Sequence, residues 1–316
     1  MIAEKPPTRI FRRFFVMEHK MKPTVFKGIA TALITPFGPD GGIDYEAFGR
    51  LIDWQIDEGI NALVVCGTTG EASTLTDDEH RDAITFAVKQ AKGRVPIIAG
   101  TGSNDLSYAL DLTRCACASG ADAVLAVTPY YNKATQKGLV LMYERIADES
   151  KVPVILYNVP SRTGVNIEPA TYAALADHPN IVAIKEANGN LSKIVETVAL
   201  TEGKLDLYSG NDDQIVPLMS MGGLGAISVL SNIMPRQTVE ITDRFLAGDI
   251  KGAARLQCRY HALIDALFSE VNPIPVKAAM AKMGFCRNTL RLPLTEMESR
   301  NAERLYALMR AEGLVD

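Results

Sequence analysis

Eight short apolar runs recur along the chain, at Gly28–Thr35, Ala62–Gly67, Val95–Gly100, Ala123–Thr128, Val152–Tyr157, Ile181–Lys185, Leu205–Ser209 and Gly225–Val229. Within each, apolar residues follow one another almost without interruption instead of alternating with polar ones. That is the pattern of parallel strands covered on both faces. The segments between them carry helical periodicity. Tyr45 to Glu58 sets Phe48, Leu51, Ile52 and Ile56 on one side, Thr76-Asp-Asp-Glu79 reads as a capping box, and Asn104 or Asp105 is placed to cap the next helix. Strand ends from Thr68 to Ser209 follow one another every 24 to 33 residues, about the length of one strand with its crossover helix and loops.

Eight such units predict an α/β protein, a (β/α)8 TIM barrel. The rival, an open doubly wound sheet, would be expected to carry a Gly-rich dinucleotide fingerprint after an early strand. Gly67-Thr-Thr-Gly70 does not match it, and the chain has no Walker A motif. Beyond Asn232 the strand pattern stops. Pro235–Ala247, Ile250–Phe268, Pro275–Met283 and Thr295–Ala311 read as helices. The first completes the barrel and the others form a C-terminal helical extension. The expected division is an N-terminal extension at 1–24, a catalytic barrel at 25–247 and a helical region at 248–316.

Charge changes the picture at one end. The whole chain of 316 residues carries a net −4, but residues 1–24 hold six basic and two acidic residues, a net +4, leaving 27 basic and 35 acidic residues, a net −8, in the rest. The basic stretch has no apolar run long enough for a signal peptide, since Phe14 to Met17 is its longest. It is expected to be loosely ordered, with Met21 a natural alternative start. An acidic body argues against a nucleic-acid partner. The uncharged run from Gln214 to Pro235 contains glycines, an asparagine and prolines, so a buried helix, a glycine turn and a buried strand are expected there, not a membrane span. Five cysteines without a CxxC and four scattered histidines suggest reduced thiols, a cytoplasmic protein and no metal site.

Barrel active sites lie at the C-terminal ends of the strands, so polar residues there carry the chemistry. Lys185 ends an apolar strand, and with a period of two it shares a face with Ile181 and Ala183. Turned inward, its amine lies in a dry pocket that disfavours an ammonium, as an imine-forming lysine needs. A lysine that reaches solvent or pairs with Glu186 fits the same sequence. Tyr157 ends the preceding strand, either as a proton shuttle beside that amine or as an aromatic plug in the barrel mouth. Gly67-Thr-Thr-Gly-Glu71 is either a carboxylate cradle, with both hydroxyls facing the mouth, or a plain turn. Pro129-Tyr-Tyr-Asn-Lys133 suits a subunit interface, and Arg162 is either a carboxylate clamp or a surface arginine. Taken together, these residues suggest imine chemistry on a small keto acid.

The set formed by Gly67-Thr-Thr-Gly-Glu71, Pro129-Tyr-Tyr-Asn132, Tyr157-Asn-Val-Pro-Ser-Arg-Thr-Gly164, Ile184-Lys-Glu-Ala187 and Asn272-Pro-Ile-Pro-Val-Lys277 resembles the pyruvate-dependent class I aldolase family of dihydrodipicolinate (4-hydroxy-tetrahydrodipicolinate) synthase and N-acetylneuraminate lyase. The likeness runs from about Phe26 to the C-terminus. It implies that Lys185 forms a Schiff base with pyruvate, and that Thr68, Tyr131 and Tyr157 form a proton relay, with Tyr131 lent by a partner subunit. It implies further that Thr69 and nearby backbone amides hold the pyruvate carboxylate, that Arg162 binds the carboxylate of aspartate semialdehyde, and that Gly210 and Ile227 line the pyruvate pocket. No cofactor or metal is implied, because a protonated imine is itself the electron sink. A tetramer built as a dimer of dimers is expected.

Arg162 favours the synthase branch over sugar-acid lyases, which typically lack it. A silent keto-acid-binding paralogue is a third reading, opposed by the complete set of Lys185, Tyr157, Tyr131 and Thr68. Two departures stand out besides the extra N-terminus. Ala134 replaces a proline common after Tyr-Tyr-Asn-Lys. In lysine-inhibited members an allosteric cleft uses positions matched here by His80, Asn104 and Tyr130, but this chain has Asp77 where some have histidine and Tyr108 where they have glutamate. Loss of that carboxylate predicts weak or absent feedback inhibition.

Overall fold

The computed structural model describes residues 22–316, so residues 1–21, most of the expected N-terminal extension, lie outside the described residues. Eight strands occur where the apolar runs predict them: β1 Gly28–Ala32, β2 Ala62–Val65, β3 Ile97–Gly100, β4 Ala123–Val127, β5 Val154–Asn158, β6 Ile181–Glu186, β7 Asp206–Ser209 and β8 Gly225–Ser228. They pair in sequence order, all parallel, and β8 closes on β1 to form a barrel. Nearly every strand residue is buried, which explains the unbroken apolar runs: one face packs inside the barrel and the other under the helices.

The helices form where periodicity and caps agree. Thr76 and Glu79 make the reciprocal capping box at the start of Asp77–Ala91. Asp105, not Asn104, caps Leu106–Ser119 by accepting from Ser107 N at 3.0 Å. The uncharged run resolves into the helix Ile215–Ser220, a turn through Gly222 and β8. Among the described residues no helix is long and apolar enough to cross a membrane. Helix Pro235–Leu246 completes the barrel's outer layer, and Ile250–Leu267, Ile274–Lys282 and Ser299–Ala311 form the C-terminal region. The last helix starts at Ser299, four residues later than its apolar pattern suggests.

Strand alternation needs one correction, at β6. Val154 pairs with Ile181 but Ile155 pairs with Ala183, so the register shifts and Val182 is the extra residue. Such an irregularity breaks the period of two. Ile181 therefore packs in the outer layer, while Val182 and Ala183 face the barrel interior. Beyond the shift the pairing is regular, and Lys185 keeps its expected side. At the opposite end, Lys22 Nζ donates to the carbonyls of Ala176 and Ile181, each at 2.6 Å, and burial lowers its pKa to about 8.

Candidate active site

Tyr157 and Lys185 are direct register partners on β5 and β6. Both are buried, Lys185 being 6% exposed, and the Lys185 Nζ sits 4.1 Å from the centroid of the Tyr157 ring. The ammonium thus neither reaches solvent nor pairs with Glu186. That carboxylate is directed elsewhere, accepting from Asn158 Nδ2, Tyr172 OH and Asn188 N. Gly210, after β7, closes in on the lysine: a Cβ there would lie 3.3 Å from Lys185 Cε and 2.8 Å from Ala187 Cβ. Only a glycine lets the backbone pass so near the amine-bearing chain. Ile227 of β8 is buried in the same interior cluster as Tyr157 and Ala183.

The turn after β2 is built by short backbone bonds, Gly70 N to Gly67 O at 3.1 Å and Glu71 N to Thr68 O at 3.2 Å. Its two hydroxyls do not behave alike, contrary to expectation. Thr68 lines the cavity at the barrel mouth. Thr69 is buried, and its Oγ1 accepts from Asn272 Nδ2 at 3.0 Å, which leaves the hydroxyl hydrogen free to donate. Asn272 also reaches the third element of the site, since its carbonyl accepts from Arg162 Nη2 at 3.0 Å. Arg162 lies on the short helix Pro160–Thr163 directly after β5, where a carbonyl occupies one corner of its fork.

A cavity of about 350 Å3 connects several of these residues. Thr68, Tyr157 and Arg162 line it together with His80, Tyr108 and Tyr130. Lys185 does not line it; Tyr157 is the residue common to the cavity and the lysine. His80 is buried with its Nε2 2.8 Å from Gly100 O, and burial lowers its pKa. The Tyr108 phenol is pushed up to about 12, first by burial and then by its hydrogen bond to Asp77. Asn104 and Tyr131 lie apart from this lining. Asn104 O accepts from Asn132 Nδ2 at 2.8 Å, tying the two loops together. Tyr131 is 90% exposed and has a φ of 73°, a backbone conformation unusual for an aromatic residue.

Asp212 has no mark in the sequence, and Asn272, Glu71 and Lys277 stand in the quoted motifs without a role that the sequence alone assigns. Asn272 bridges Thr69 and Arg162. Asp212 is buried and its Oδ2 accepts from Val229 N and Leu230 N, each at 2.9 Å, fixing the chain just beyond Ile227. Burial raises its pKa, opposed by hydrogen bonds from Ser228 and the two amides and by the Lys185 charge. Glu71 pairs with Lys277 of helix Ile274–Lys282. A lysine within Ile-Pro-Val-Lys-Ala-Ala-Met is a visible signal for a buried charge, but its partner lies some 200 residues away in sequence.

The chain as a whole resembles known proteins in sequence and in fold. It is 55% identical to a 4-hydroxy-tetrahydrodipicolinate synthase of Lachnoclostridium phytofermentans, over 92% of this chain and 99% of the relative. Its fold superposes on the crystal structure of dihydrodipicolinate synthase from Aquifex aeolicus with a TM-score of 0.89 at 44% identity, covering 92% of this chain and 99% of that one. It also superposes on the chloride-inhibited dihydrodipicolinate synthase of Acinetobacter baumannii complexed with pyruvate, with a TM-score of 0.90 at 42% identity, covering 92% and 100%. The model of the dihydrodipicolinate synthetase family matches residues 25–312, which take in the barrel, the Tyr157–Lys185 pair and nearly all of the C-terminal region that reaches back to Thr69 and Arg162, and the chain belongs to that family.

Proposed function

We propose that the chain acts as a 4-hydroxy-tetrahydrodipicolinate synthase, condensing pyruvate with L-aspartate 4-semialdehyde in the diaminopimelate route to lysine. The observation that carries this reading is the buried Lys185 amine against the Tyr157 ring at the strand ends. The amine adds to the pyruvate ketone and water leaves, giving an imine on Lys185. Thr68, Tyr157 and a partner subunit's copy of Tyr131 carry the protons of addition and dehydration. The imine loses a methyl proton to become an enamine, whose carbon attacks the semialdehyde aldehyde. The substrate amine then attacks the imine carbon, closing the ring and releasing Lys185.

Thr69, oriented by Asn272, donates to the pyruvate carboxylate with the backbone amides of its turn, beside Gly210 and Ile227. Arg162 clamps the second carboxylate with the part of its fork that Asn272 O leaves open. The chemistry calls for no cofactor or metal. Exposure of Tyr131 supports a dimer in which its phenol enters the neighbouring site, and two such dimers form the tetramer. Five free thiols suit a cytoplasmic enzyme.

The test is borohydride reduction in the presence of pyruvate, followed by peptide mass mapping, beside an assay with aspartate semialdehyde. A pyruvyl adduct on Lys185 and consumption of the semialdehyde are expected. Cleavage of a sialic or deoxy-keto sugar acid in place of semialdehyde turnover would reassign the branch. No adduct at all would favour a binding protein.

A further inference from the structure

Behind the reactive pair stands a second pair. Asn158 and Glu186 are register partners one residue beyond Tyr157 and Lys185. Strand alternation turns them to the opposite face, under the covering helices. The Glu186 carboxylate is 3% exposed and all its neighbours donate to it: Asn158 Nδ2 at 3.0 and 3.2 Å, Tyr172 OH at 2.9 Å and Asn188 N at 2.9 Å. Asn158 spreads the bonding further, donating to Asn166 Oδ1 at 2.9 Å and accepting from Ile167 N at 3.1 Å. The main chain adds Ala187 N to Asn158 O at 2.9 Å and Gly210 N to Glu186 O at 2.7 Å. The Glu186 and Asn158 side chains, with the Glu186 carbonyl, therefore tie together the ends of β5 and β6, the segment after Arg162, the helix Pro169–Leu175 and the glycine that borders Lys185.

We infer that Glu186 is a positioning residue whose carboxylate, gripped by Asn158 and Tyr172, locks the ends of β5 and β6 so that the Tyr157 phenol and the Lys185 amine meet, and that protonating this carboxylate loosens the lock. The inference rests on the imine role proposed for Lys185. A carboxylate satisfies several donors at once, whereas a carboxylic acid places its own O–H among them and must give up a contact. A reacting pair misplaced by about 1 Å loses roughly 100-fold in rate, so a small slip between two strands has a large effect.

The switch falls in a usable range because burial pushes the Glu186 carboxyl up to about 7, against the opposing hydrogen bonds of Asn158, Tyr172 and Asn188. The two phenols nearest it titrate above that range. Tyr172 is raised well above its ordinary value by burial and by Glu186 itself, and Tyr143 beside it is raised by burial. Glu168 is reached only through Asn166, and Lys185 faces the other side of the strand. Among the groups hydrogen-bonded in this network, Glu186 is thus the one that takes up a proton near neutrality.

The experiment follows the rate of borohydride-trapped pyruvate adduct on Lys185 from pH 5.5 to 9 in the full-length protein, in Glu186→Gln and in Tyr172→Phe. The amide imitates the protonated acid. Glu186→Gln is expected to form adduct about 10- to 100-fold more slowly at pH 8, with the KM for pyruvate changed less than about threefold and the acidic limb near neutrality gone. Glu186→Asp recovers part of both rate and limb. Tyr172→Phe removes one donor and moves the limb to higher pH, which decides the matter even where Glu186→Gln does not fold. A wild-type rate and limb in Glu186→Gln, or an unmoved limb in Tyr172→Phe, would overturn the lock while leaving the Lys185 reading intact. No adduct in the wild-type protein would overturn both.

Discussion

Glu71 and Lys277 form an ion pair that water does not reach, their side chains being 1% and 0% exposed. The pair joins the turn after β2 to the C-terminal region. Its surroundings are built for charge: Lys277 Nζ lies 4.0 Å from the centroid of the Phe37 ring, Arg291 Cζ lies 4.4 Å from the same centroid, and Arg291 N donates to the second Glu71 oxygen at 3.2 Å. Glu71 itself has a φ of 54°, a costly conformation for a residue with a Cβ, and the buried pair holds it there. The C-terminal helices are thus part of the cradle that carries Thr68 and Thr69, not an appendage to the barrel.

Removing one partner leaves a buried charge without its counter-charge, so Lys277→Met is expected to lower the unfolding free energy by about 3–5 kcal/mol. The double variant Glu71→Gln with Lys277→Met removes both charges and is expected to regain most of that loss. Urea denaturation of the wild type, Lys277→Met, Glu71→Gln and the double variant checks this. Equal destabilisation in the single and double variants would mean that the two charges are not coupled.

Gly210 offers a sharper test of the site. A methyl at this position meets Ala187 Cβ at 2.8 Å and Lys185 Cε at 3.3 Å, so either the loop or the lysine must move. Gly210→Ala is expected to lower kcat/KM for pyruvate by about 10- to 100-fold through displacement of the amine. Steady-state kinetics with the semialdehyde saturating measure it. A kcat/KM within twofold of wild type would show that the backbone does not bear on the lysine.

Much of this arrangement is legible in the chain. Eight apolar runs locate eight strands, because a strand buried on both faces has no room for polar residues. Tyr157 and Lys185 stand out because they end such runs. What escapes is whatever depends on pairing between distant segments. The register shift at Val182 has no local mark, so regular alternation puts Ile181 on the wrong face. Asn272 opens a recognisable motif but shows no role until folding brings it between Thr69 and Arg162. Glu186 reads as a salt-bridge partner for its neighbour Lys185, and only the pleat of β6 sends the two side chains to opposite faces.

The cavity that reaches His80 and Tyr130 makes the response to lysine testable. Where the family resemblance implies a glutamate in lysine-inhibited members stands Tyr108, a phenol bonded to Asp77. A free ammonium entering there meets a phenol, and the nearby carboxylate is already engaged. Lysine at about 1 mM is expected to leave turnover of the wild-type enzyme nearly unchanged, while Tyr108→Glu supplies the missing charge, worth about 10-fold or more in affinity at a partly buried position. Inhibition curves for both proteins check the prediction. Strong suppression of the wild type by lysine would refute it.

Acid stability should depend on Glu79 and Arg291. The guanidinium grips both carboxylate oxygens, with Nη1 to Oε2 at 2.7 Å, and also donates to Thr74 O and Gly41 O. The Arg291 hydrogen bonds are the main cause that lowers the Glu79 pKa to about 2, helped by Thr76 N. A depressed carboxyl pKa means that the unfolded chain takes up the proton first as pH falls. The stabilisation is fully present above the ordinary carboxylate range and is lost progressively from about pH 4.5 towards 2. Its size is about 2 kcal/mol, allowing for solvent screening of a pair that is partly exposed. Arg291→Gln also loses the two carbonyl contacts, a deficit that does not vary with pH. Unfolding midpoints of wild type and variant should therefore differ most at pH 6–7 and converge partway as pH drops from 5 to 3. A gap that stays constant across that window would assign the role of Arg291 to the carbonyls alone.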